Sequence, residues 1–456
     1  MKKYDLIIIG GGPAGYLAAE RASAGGMSTA LFEKRSLGGV CLNEGCIPTK
    51  SLLYSAKILD SAAHGAAFGV HIENPSLDHN AVISRKDKVV KALVSGVGAK
   101  MKTGGVDVFT AEAVIQQKTP DGFIVEADGQ SFTASKLLIA TGSEALIPPI
   151  PGAAEGLKSG FVMTSREILD ARELPKHLLI VGGGVIGLEM AGYFAAADVK
   201  VSVVEMLDKI AGPFDAEISA ILQKNLQKKG VEFRLGSKVT EISPKGIRLE
   251  TGDASELITA DRVLLSIGRK PAISGIGLEN IGVYIERGAV VTDRQMRVGV
   301  PDVYAAGDVN GKSMLAHTAY REAEVAVNNM LGRKDSMRYN AIPSVIYTQP
   351  EAASVGETEE SAAAKGLAVK STKISMRYAG RYVAENEGGD GICKLLLDKG
   401  SGRVLGVHMI GGYASEIITS AVFIVESGWP LETLKEMVFP HPTVGEIIRE
   451  ALFEIK

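Results

Sequence analysis

Two of the chain's three cysteines, Cys41 and Cys46, lie five positions apart and could form a reversible disulfide. In an ideal helix, residues five apart are separated by about 7.5 Å along the axis, whereas the Cα atoms of a disulfide usually lie within ~7 Å. A bridge therefore requires a distorted backbone, which Gly45 and Pro48 would allow, and strain makes a disulfide easier to reduce. The spacing by itself fits two reduced, packed cysteines equally well.

A second candidate pair, His441 and Glu446, follows in the segment Phe439–Thr443 and just beyond it, with His441 lying 400 positions after Cys41. Thiol–disulfide exchange requires a thiolate, and a free thiol has a pKa near ~8.5. An imidazole held in one tautomer by a carboxylate could remove that proton near neutral pH. Because a lone histidine is usually structural and this spacing is not specific, the pair alone remains a hypothesis.

The elements that must position these residues include two copies of one nucleotide-binding pattern, each with a buried strand, a glycine turn, a helix and a second strand ending in an acid. From the first glycine to the acid is 23 positions in both copies. These glycines allow a tight turn, close approach of a pyrophosphate and close helix–strand packing. The copies are Gly10-x-Gly12-x-x-Gly15 with Glu33, and Gly182-x-Gly184-x-x-Gly187 with Glu205. The sequence therefore predicts two bound adenine dinucleotides.

Composition limits the remaining function classes. Glycine provides 53 of the 456 residues, about 12% against a usual ~7%, which agrees with many tight turns. The net charge is −3 without a basic tract, so nucleic acid and anionic membranes are not expected partners. The apolar run Leu6–Ile9 ends in glycines and is interpreted as a strand rather than a signal peptide. With only three cysteines, we expect a cytoplasmic protein whose disulfide chemistry is catalytic.

Several segments taken together resemble one known family over essentially the whole chain. They are the two glycine patterns, the Cys-x4-Cys segment, Ala140-Thr141-Gly142, Tyr304–Asp308, and Phe439–Thr443 with Glu446. This combination resembles the pyridine nucleotide–disulfide oxidoreductases, and among them the branch that oxidises dihydrolipoyl groups with NAD. The resemblance implies an α/β fold with two Rossmann-like dinucleotide-binding domains and a C-terminal α+β dimerisation domain. The implied segments are 1–147 and 267–338 for FAD, 148–266 for NAD, and 339–456 for dimerisation.

The resemblance also implies which residues bind the cofactors. The first glycine pattern would bind FAD and the second NAD, Asp308 would hold the ribityl chain, and Lys50 would lie beside the flavin and pair with Glu189. The loop containing Ala316 and His317 resembles the one covering the flavin's pyrimidine edge, although the His317 imidazole itself is interpreted as structural. The full predicted set is Gly10, Gly12, Gly15, Glu33, Lys50, Thr141, Gly142, Gly182, Gly184, Gly187, Glu189, Glu205, Gly268, Arg269, Gly307, Asp308, Ala316 and His317; no metal ligands are predicted.

In the family, Cys41 would exchange with the substrate thiol and Cys46 would contact the flavin. His441, oriented by Glu446, would act from the partner subunit, so the resemblance implies a homodimer. The substrate would be a lipoylated carrier on a separate chain, because no lipoyl domain is recognised here. That carrier would be the lipoyl domain of an acyltransferase in a 2-oxoacid dehydrogenase complex, or the H-protein of glycine cleavage.

Single residues separate this branch from competing interpretations and mark the departures from the family pattern. Val40, Glu44 and Gly445 differ from the residues common in the family, but none is a reacting group. Glutathione reductase uses NADPH, and the Glu205 carboxylate would repel its 2′-phosphate. Mercuric reductase carries an additional C-terminal cysteine pair, a soluble transhydrogenase would lack the Cys-x4-Cys pair, and a non-catalytic scaffold would need neither the cysteines nor His441.

Overall fold

The computed structural model describes residues 2–455, whose contacts divide the chain into two compact units. The first unit contains the chain up to Ser51, then Ile83–Leu146 and Gly268–Arg338; the second contains Leu52–Val82, Ile147–Ile267 and the chain from Tyr339 onward. The breaks near residues 147, 267 and 338 lie close to the expected domain limits. Residues 52–82 fall in the second unit, whereas the expected FAD domain includes them, and the domain assignment stays a prediction.

The helices and strands are numbered in chain order. The helices are α1 (Pro13–Ala24), α2 (Gly39–Glu44), α3 (Cys46–Ala63), α4 (His79–Thr103), α5 (Ala153–Ser159), α6 (Ser165–Asp170), α7 (Val185–Ala196), α8 (Ala216–Lys228), α9 (Ala316–Met330), α10 (Glu359–Ala364), α11 (Gly380–Glu385), α12 (Ala414–Ser427), α13 (Leu431–Lys435) and α14 (Glu446–Glu454). The strands are β1 (Lys2–Ile9), β2 (Thr29–Phe32), β3 (Asp107–Phe109), β4 (Ala113–Thr119), β5 (Gly122–Ala127), β6 (Gln130–Ile139), β7 (Ser143–Ala145), β8 (Val162–Met163), β9 (His177–Val181), β10 (Lys200–Val204), β11 (Glu232–Arg234), β12 (Ser237–Ser243), β13 (Gly246–Thr251), β14 (Ala254–Thr259), β15 (Arg262–Leu265), β16 (Arg269–Pro271), β17 (Ile285–Glu286), β18 (Ala289–Val290), β19 (Val303–Ala305), β20 (Ser344–Ile346), β21 (Glu351–Gly356), β22 (Val369–Ser375), β23 (Ile392–Asp398) and β24 (Val404–Gly411).

The first unit is organised around a sheet in which β3, β2, β1 and β6 are parallel neighbours and β19 also pairs in parallel with β6. Residues Leu6–Ile9 of β1 are buried on both faces, as expected for a continuous apolar run between two parallel strands. The antiparallel strands β5 and β4 extend the same sheet beyond β6. The carboxyl ends of β1, β6 and β19 are where the candidate flavin-site residues follow.

The second unit contains a parallel sheet with the order β11-β10-β9-β15-β8. Its strand β9, His177–Val181, is apolar and buried from Leu178 onward, and α7 follows it directly through the second glycine turn. The antiparallel strands β12, β13 and β14 form a smaller sheet whose apolar side chains join the same core. This repeats the strand–turn–helix–strand order of the first unit.

The C-terminal part of the second unit is an antiparallel sheet with the order β20-β21-β24-β23-β22, packed against α12 and α14. The apolar run 417–425 lies within α12, and the alternating segment 404–409 lies within β24. No helix among residues 2–455 combines the length and apolar character that crossing a membrane requires.

Candidate active site

The first glycine turn is built so that only glycine fits at two of its positions. Gly10 has φ +106°, and a Cβ there would lie 2.2 Å from the carbonyl oxygen of Ala140; a Cβ on Gly15 would lie 1.8 Å from the Gly10 oxygen. At Gly12, which precedes α1, the nearest atom to a Cβ would be the Gly39 Cα at 3.8 Å. The turn is therefore closely packed at Gly10 and Gly15 and open at Gly12, where α1 begins. Such an opening leaves room for a phosphate at the helix N-terminus.

Glu33 follows β2 and binds the backbone of this turn. Its Oε2 accepts a hydrogen bond from the Gly11 N–H at 2.8 Å, and its Oε1 accepts one from the Arg35 N–H at 2.8 Å. The Arg35 guanidinium in turn forms a 2.5 Å ion pair with Glu44, which lies between the two cysteines. Two backbone hydrogen bonds thus fix the Glu33 carboxylate beside the turn. From this position it can accept hydrogen bonds from ribose hydroxyls.

The second glycine turn has the same construction. Gly182 has φ +107° and a Cβ there would lie 2.5 Å from the Ser266 oxygen, while a Cβ on Gly187 would lie 2.3 Å from the Gly182 oxygen. No described atom lies within 4 Å of the Cβ position at Gly184, which precedes α7. A second dinucleotide therefore fits here for the same physical reason as in the first unit.

Glu205 repeats the contacts of Glu33, because its Oε2 accepts from the Gly183 N–H at 2.7 Å and its Oε1 from the Leu207 N–H at 2.9 Å. The backbone of Arg234 also lies beside it, but the Arg234 side chain pairs with Glu256 at 3.6 Å. A 2′-phosphate at this position would meet a carboxylate, so the site favours NAD over NADP.

The two thiols lie on either side of a helix break. Helix α2 ends at Glu44, Gly45 has φ −148° and ψ −106°, and α3 begins at Cys46. Both cysteines are thiols in this structure, and their side chains are hydrogen-bonded to each other. The break provides the distorted backbone that bridging at this spacing requires.

The pKa of the Cys41 thiol is raised, first by the side-chain hydrogen bond to Cys46, then by burial and by the charge of Cys46. The charge of Lys50, one turn into α3, and a backbone hydrogen bond from Cys46 act in the opposite direction and lower that pKa. Negative charge on one sulfur therefore opposes loss of the proton from the other.

Asp308 follows β19, and its carboxylate is bound by Ser143, a residue outside the predicted set, which the predicted residue Arg269 binds in turn. The Ser143 hydroxyl donates to Asp308 Oδ2 at 2.5 Å, and the Arg269 guanidinium donates to Ser143 Oγ and to the Ser143 carbonyl, both at 2.7 Å. Burial raises the pKa of Asp308, while the bond from Ser143 and the charge of Arg269 oppose that effect. A carboxylate so oriented can accept hydrogen bonds from a sugar-alcohol chain.

The remaining predicted cofactor residues of the first unit lie in turns, at strand ends or at the start of a helix. Gly307 has φ +82° and its N–H donates to the buried Glu322 at 2.6 Å. The Thr141 hydroxyl donates to the Ala272 carbonyl at 2.6 Å. The others occupy turns or a helix start: Gly142 (φ +71°), Gly268 (φ +123°), and Ala316 and His317 in the first turn of α9.

In the second unit, Glu189 is buried on α7, and its Oε1 accepts a hydrogen bond from the Tyr347 N–H at 3.0 Å. Lys50 belongs to the first unit. Both residues make further interactions, and their predicted pairing stays a prediction.

His441 and Glu446 are brought together in the second unit. The Nδ1 atom of His441 lies 2.9 Å from Glu446 Oε1, and Glu446 Oε2 accepts from the Thr443 N–H at 2.9 Å. The bond from Thr443 and then the bond from His441 lower the pKa of Glu446. An ionised carboxylate holds the proton on Nδ1 and leaves Nε2 as the basic atom, on a side chain that is 76% exposed.

Sequence reasoning missed Ser143 as a site residue and named Thr443 only within the segment Phe439–Thr443. Ser143 directly follows Ala140-Thr141-Gly142, and that neighbouring motif is the signal that could have suggested it. No cluster of three or more His, Cys, Asp or Glu side chains able to hold a metal ion occurs within residues 2–455.

A thiol pair that follows one dinucleotide-binding turn, in a chain with a second such turn, defines a nucleotide-dependent disulfide oxidoreductase. The family model for pyridine nucleotide-disulphide oxidoreductases matches residues 4–323, and the model for the dimerisation domain of these proteins matches residues 342–452. The chain belongs to this family. Its cofactors are FAD and NAD, and the dimerisation domain supports a homodimer.

Curated relatives cover nearly the whole chain. A protein of Bacillus subtilis named dihydrolipoyl dehydrogenase is 38% identical over 466 residues, covering 98% of this chain and 97% of its own. A protein of Chlamydia muridarum with the same name is 37% identical over 449 residues, covering 98% of this chain and 96% of its own.

Solved structures of similar fold include LpdA from Mycobacterium tuberculosis, with a TM-score of 0.90, 25% identity and full coverage of both chains. The HOCl-induced flavoprotein disulfide reductase RclA from Escherichia coli has a TM-score of 0.86 and 26% identity, covering 99% of this chain and 100% of its own.

Proposed function

We propose that this protein oxidises protein-bound dihydrolipoyl groups to lipoyl groups and reduces NAD+ to NADH. The observation that carries the proposal is the hydrogen-bonded thiol pair Cys41–Cys46 across a helix break, in the unit that holds the first dinucleotide turn. The relatives named dihydrolipoyl dehydrogenase, at 37–38% identity over nearly the full chain, support this substrate class.

The donor sets of the two units fit the two cofactors. In the proposal, the first glycine turn, Glu33 and Asp308 hold FAD, with Lys50 beside the flavin, and the second glycine turn with Glu205 holds NAD. When bound, these cofactors supply the acceptor for the electron pair of the dithiol and its transfer as hydride to NAD+. The protein's part is to orient the carriers and to control protons at the sulfur atoms.

The substrate chemistry uses thiol–disulfide exchange. His441 Nε2 removes a proton from one dihydrolipoyl thiol, because Glu446 holds the imidazole in the required tautomer. The thiolate attacks the Cys41 sulfur of the oxidised Cys41–Cys46 pair, so that an S–S bond to Cys41 forms and Cys46 leaves as a thiolate. The second substrate thiol then attacks the substrate sulfur of the mixed disulfide and breaks its bond to Cys41. Lipoyl disulfide is released, and the reduced cysteine pair keeps both electrons.

Partners and location form part of the same proposal. His441 acts on the cysteine pair of the partner subunit, which makes the dimer the catalytic form. The substrate is a lipoyl group on a separate carrier protein, in a 2-oxoacid dehydrogenase complex or in glycine cleavage, and the enzyme works in the cytoplasm.

The test is NADH formation by the purified holoenzyme with dihydrolipoamide and NAD+, compared with Cys41→Ser as the matched inactive variant. We expect activity in the native protein and none in the variant. The same assay with lipoylated acyltransferase domain and with lipoylated H-protein then ranks the carriers. A native protein that binds flavin and reduces dyes with NADH, but does not oxidise any dihydrolipoyl compound, would overturn the proposal.

A further inference from the structure

A buried carboxylate that the proposed chemistry does not use binds the turn that carries Asp308. Glu322 lies on α9 and is 0% exposed. Its Oε2 accepts a hydrogen bond from the Gly307 N–H at 2.6 Å and another from the Asn310 side-chain amide at 2.8 Å. Because Gly307 precedes Asp308 and Asn310 follows it, one oxygen atom of Glu322 holds the turn on both sides of Asp308.

This turn is short and tightly enclosed. Gly307 has φ +82°, and a Cβ there would lie 3.3 Å from the side chain of Ala14 on α1 and 3.3 Å from that of Ala319 on α9. The following residues, Asp308–Asn310, form a single 3₁₀ turn. Hydrogen bonds within a 3₁₀ turn have poorer geometry than those of an α-helix. The orientation of this turn therefore depends on contacts with neighbouring elements.

The far end of the turn is fixed through Asn310, whose side chain is buried. The Asn310 amide group donates to Glu322, while its Oδ1 accepts a hydrogen bond from the Lys312 N–H at 2.9 Å. The Lys312 Nζ donates to the Thr292 carbonyl at 2.7 Å. Asn310 thus connects the Glu322 carboxylate to the segment that follows the turn.

An acid at this position does something that an apolar residue could not do. Burial of a carboxylate is unfavourable unless hydrogen bonds compensate for the lost water. An apolar side chain would fill the space of Glu322, but it would leave the Gly307 N–H and the Asn310 amide without this acceptor. Hydrogen bonds to a carboxylate are short and strong, so they also fix direction.

We infer that Glu322 is a positioning residue for FAD, which holds the Gly307–Asn310 turn so that the Asp308 carboxylate faces the cofactor. The inference rests on the proposed contact between Asp308 and FAD. Ser143 fixes the Asp308 carboxylate itself, and Glu322 fixes the backbone that carries it. Glu322 thus acts on the cofactor through Asp308.

The test measures the dissociation constant of FAD, from the free flavin released when the holoenzyme is serially diluted. Glu322→Met removes both acceptor oxygens, and Glu322→Gln keeps one acceptor oxygen without the charge. The control is Glu324→Gln on the same helix, where the carboxylate is partly exposed and lies 3.7 Å from Arg21. Loss of hydrogen bonds to a charged group should raise the dissociation constant by about tenfold in Glu322→Met. The increase should be smaller in Glu322→Gln, and the control should bind FAD like the native protein.

A second set of variants distinguishes positioning from a general contribution to folding. If Glu322 acts through Asp308, Glu322→Met should weaken FAD binding far less in an Asp308→Ala background than in the native background. Equal weakening in the two backgrounds would overturn the inference, as would a native dissociation constant in Glu322→Met. If Glu322→Met does not fold, Glu322→Gln is measured in both backgrounds and decided by the same two criteria.

The single variant Asp308→Ala separates this inference from the proposal on which it rests. If Asp308→Ala binds FAD like the native protein, both the proposed contact and the role of Glu322 are wrong. If Asp308→Ala binds FAD weakly and the Glu322 variants bind it normally, only the role of Glu322 is wrong. The measurement contains no dihydrolipoyl compound, so a native protein inactive toward dihydrolipoamide would overturn the proposed reaction and leave this result standing.

Discussion

Glu33 and Glu205 make equivalent pairs of hydrogen bonds in the two glycine turns. In each turn, one carboxylate oxygen accepts a hydrogen bond from the N–H of the turn's second residue, at 2.8 Å for Glu33 and 2.7 Å for Glu205. The other oxygen accepts one from the N–H of the residue two positions after the acid. Each acid therefore fixes its turn and is positioned to bind a ribose, although the two units are expected to bind different nucleotides.

Replacing Glu205 should change nucleotide preference. Glu205→Ala removes the repulsion toward a 2′-phosphate, and a second change, Leu207→Arg, supplies a cation at an exposed position. Loss of a charge-assisted hydrogen bond, about 1.5–3 kcal/mol, should weaken NADH use by roughly 10- to 100-fold, while NADPH use rises. Steady-state kinetics with both nucleotides check this; a native protein that uses NADPH as well as NADH would contradict it.

The glycines of the second turn should separate folding from nucleotide binding. Gly184→Ala adds a methyl group where no described atom lies within 4 Å, so the thermal midpoint should stay close to native while NAD binding weakens, because the pyrophosphate approaches here. Gly187→Ala is the contrasting variant, since its methyl group would lie 2.3 Å from the Gly182 oxygen and should lower the midpoint. Calorimetry and NADH titration provide both measurements; unchanged NAD affinity in Gly184→Ala would refute the expectation.

Much of this fold could be predicted because local pattern and tertiary role agree. The apolar runs before each glycine turn are buried parallel strands, and the family and its cofactors follow from motifs whose residues act through the backbone. Strand ends were less predictable: β6 begins at Gln130, earlier than the apolar run Leu137–Ala140 suggests, because its polar first half pairs with β5.

Side-chain partners across long sequence separations could not be predicted. Ser143 meets Asp308 from 165 positions away, and Tyr16 meets Tyr320 from 304 positions away. No local periodicity encodes such a contact, since it depends on how whole elements pack. The assignment of roles to His441 and Cys41 likewise came from resemblance, and it stays a prediction.

The absorption spectrum of the reduced enzyme should distinguish the two cysteines. On two-electron reduction we expect a long-wavelength band, because a Cys46 thiolate would face oxidised flavin. Cys46→Ser should abolish the band, whereas Cys41→Ser should leave a Cys46 thiolate and a band without reduction. Anaerobic titration checks both variants, and a band that survives in Cys46→Ser would show that the roles are assigned wrongly.

A buried ion pair should contribute strongly to stability in the second unit. Lys394 on β23 donates to Asp215 at 2.8 Å, and both side chains are almost fully buried. Lys394→Met leaves the Asp215 charge without its partner, so the free energy of unfolding should fall by about 3–5 kcal/mol. Lys224→Met, whose side chain is 64% exposed and lies 3.5 Å from Asp390, is the control and should cost less than about 1 kcal/mol. Urea unfolding that gives equal losses would contradict this.

The same pair predicts how stability depends on pH. Burial would raise the pKa of Asp215, but the hydrogen bond and charge of Lys394 outweigh it and leave that pKa below its ordinary value. A carboxyl group whose pKa is lower in the folded than in the unfolded protein stabilises the fold at pH values above its unfolded-state pKa of ~3.9. This stabilisation is lost as the pH falls through the pKa of the folded state. From about pH 5 downward, the native protein should therefore lose more stability than Asp215→Asn. Parallel acid-unfolding curves for the two proteins would be inconsistent with this sign.

His441 should act on the cysteine pair of the other subunit. His441→Gln should lower dihydrolipoamide oxidation by roughly 10²–10⁴-fold, the range for loss of a positioned general base. NADH-dependent reduction of a flavin-directed dye should fall far less, because that route needs no thiol exchange. Glu446→Gln should lower the thiol reaction more mildly, since the imidazole remains but loses the carboxylate at 2.9 Å that fixes its tautomer.

Mixing two inactive variants decides which subunit the histidine serves. Suppose that Cys41→Ser and His441→Gln subunits exchange and that the histidine acts across the symmetric interface. Each mixed dimer then has one active site with both lesions and one intact active site. Equal mixing with full exchange would then restore about a quarter of the sites. If the histidine acted within its own chain, every site would keep one lesion and no activity would return. Recovery of dihydrolipoamide oxidation, measured against a mixture without subunit exchange, is the expected result.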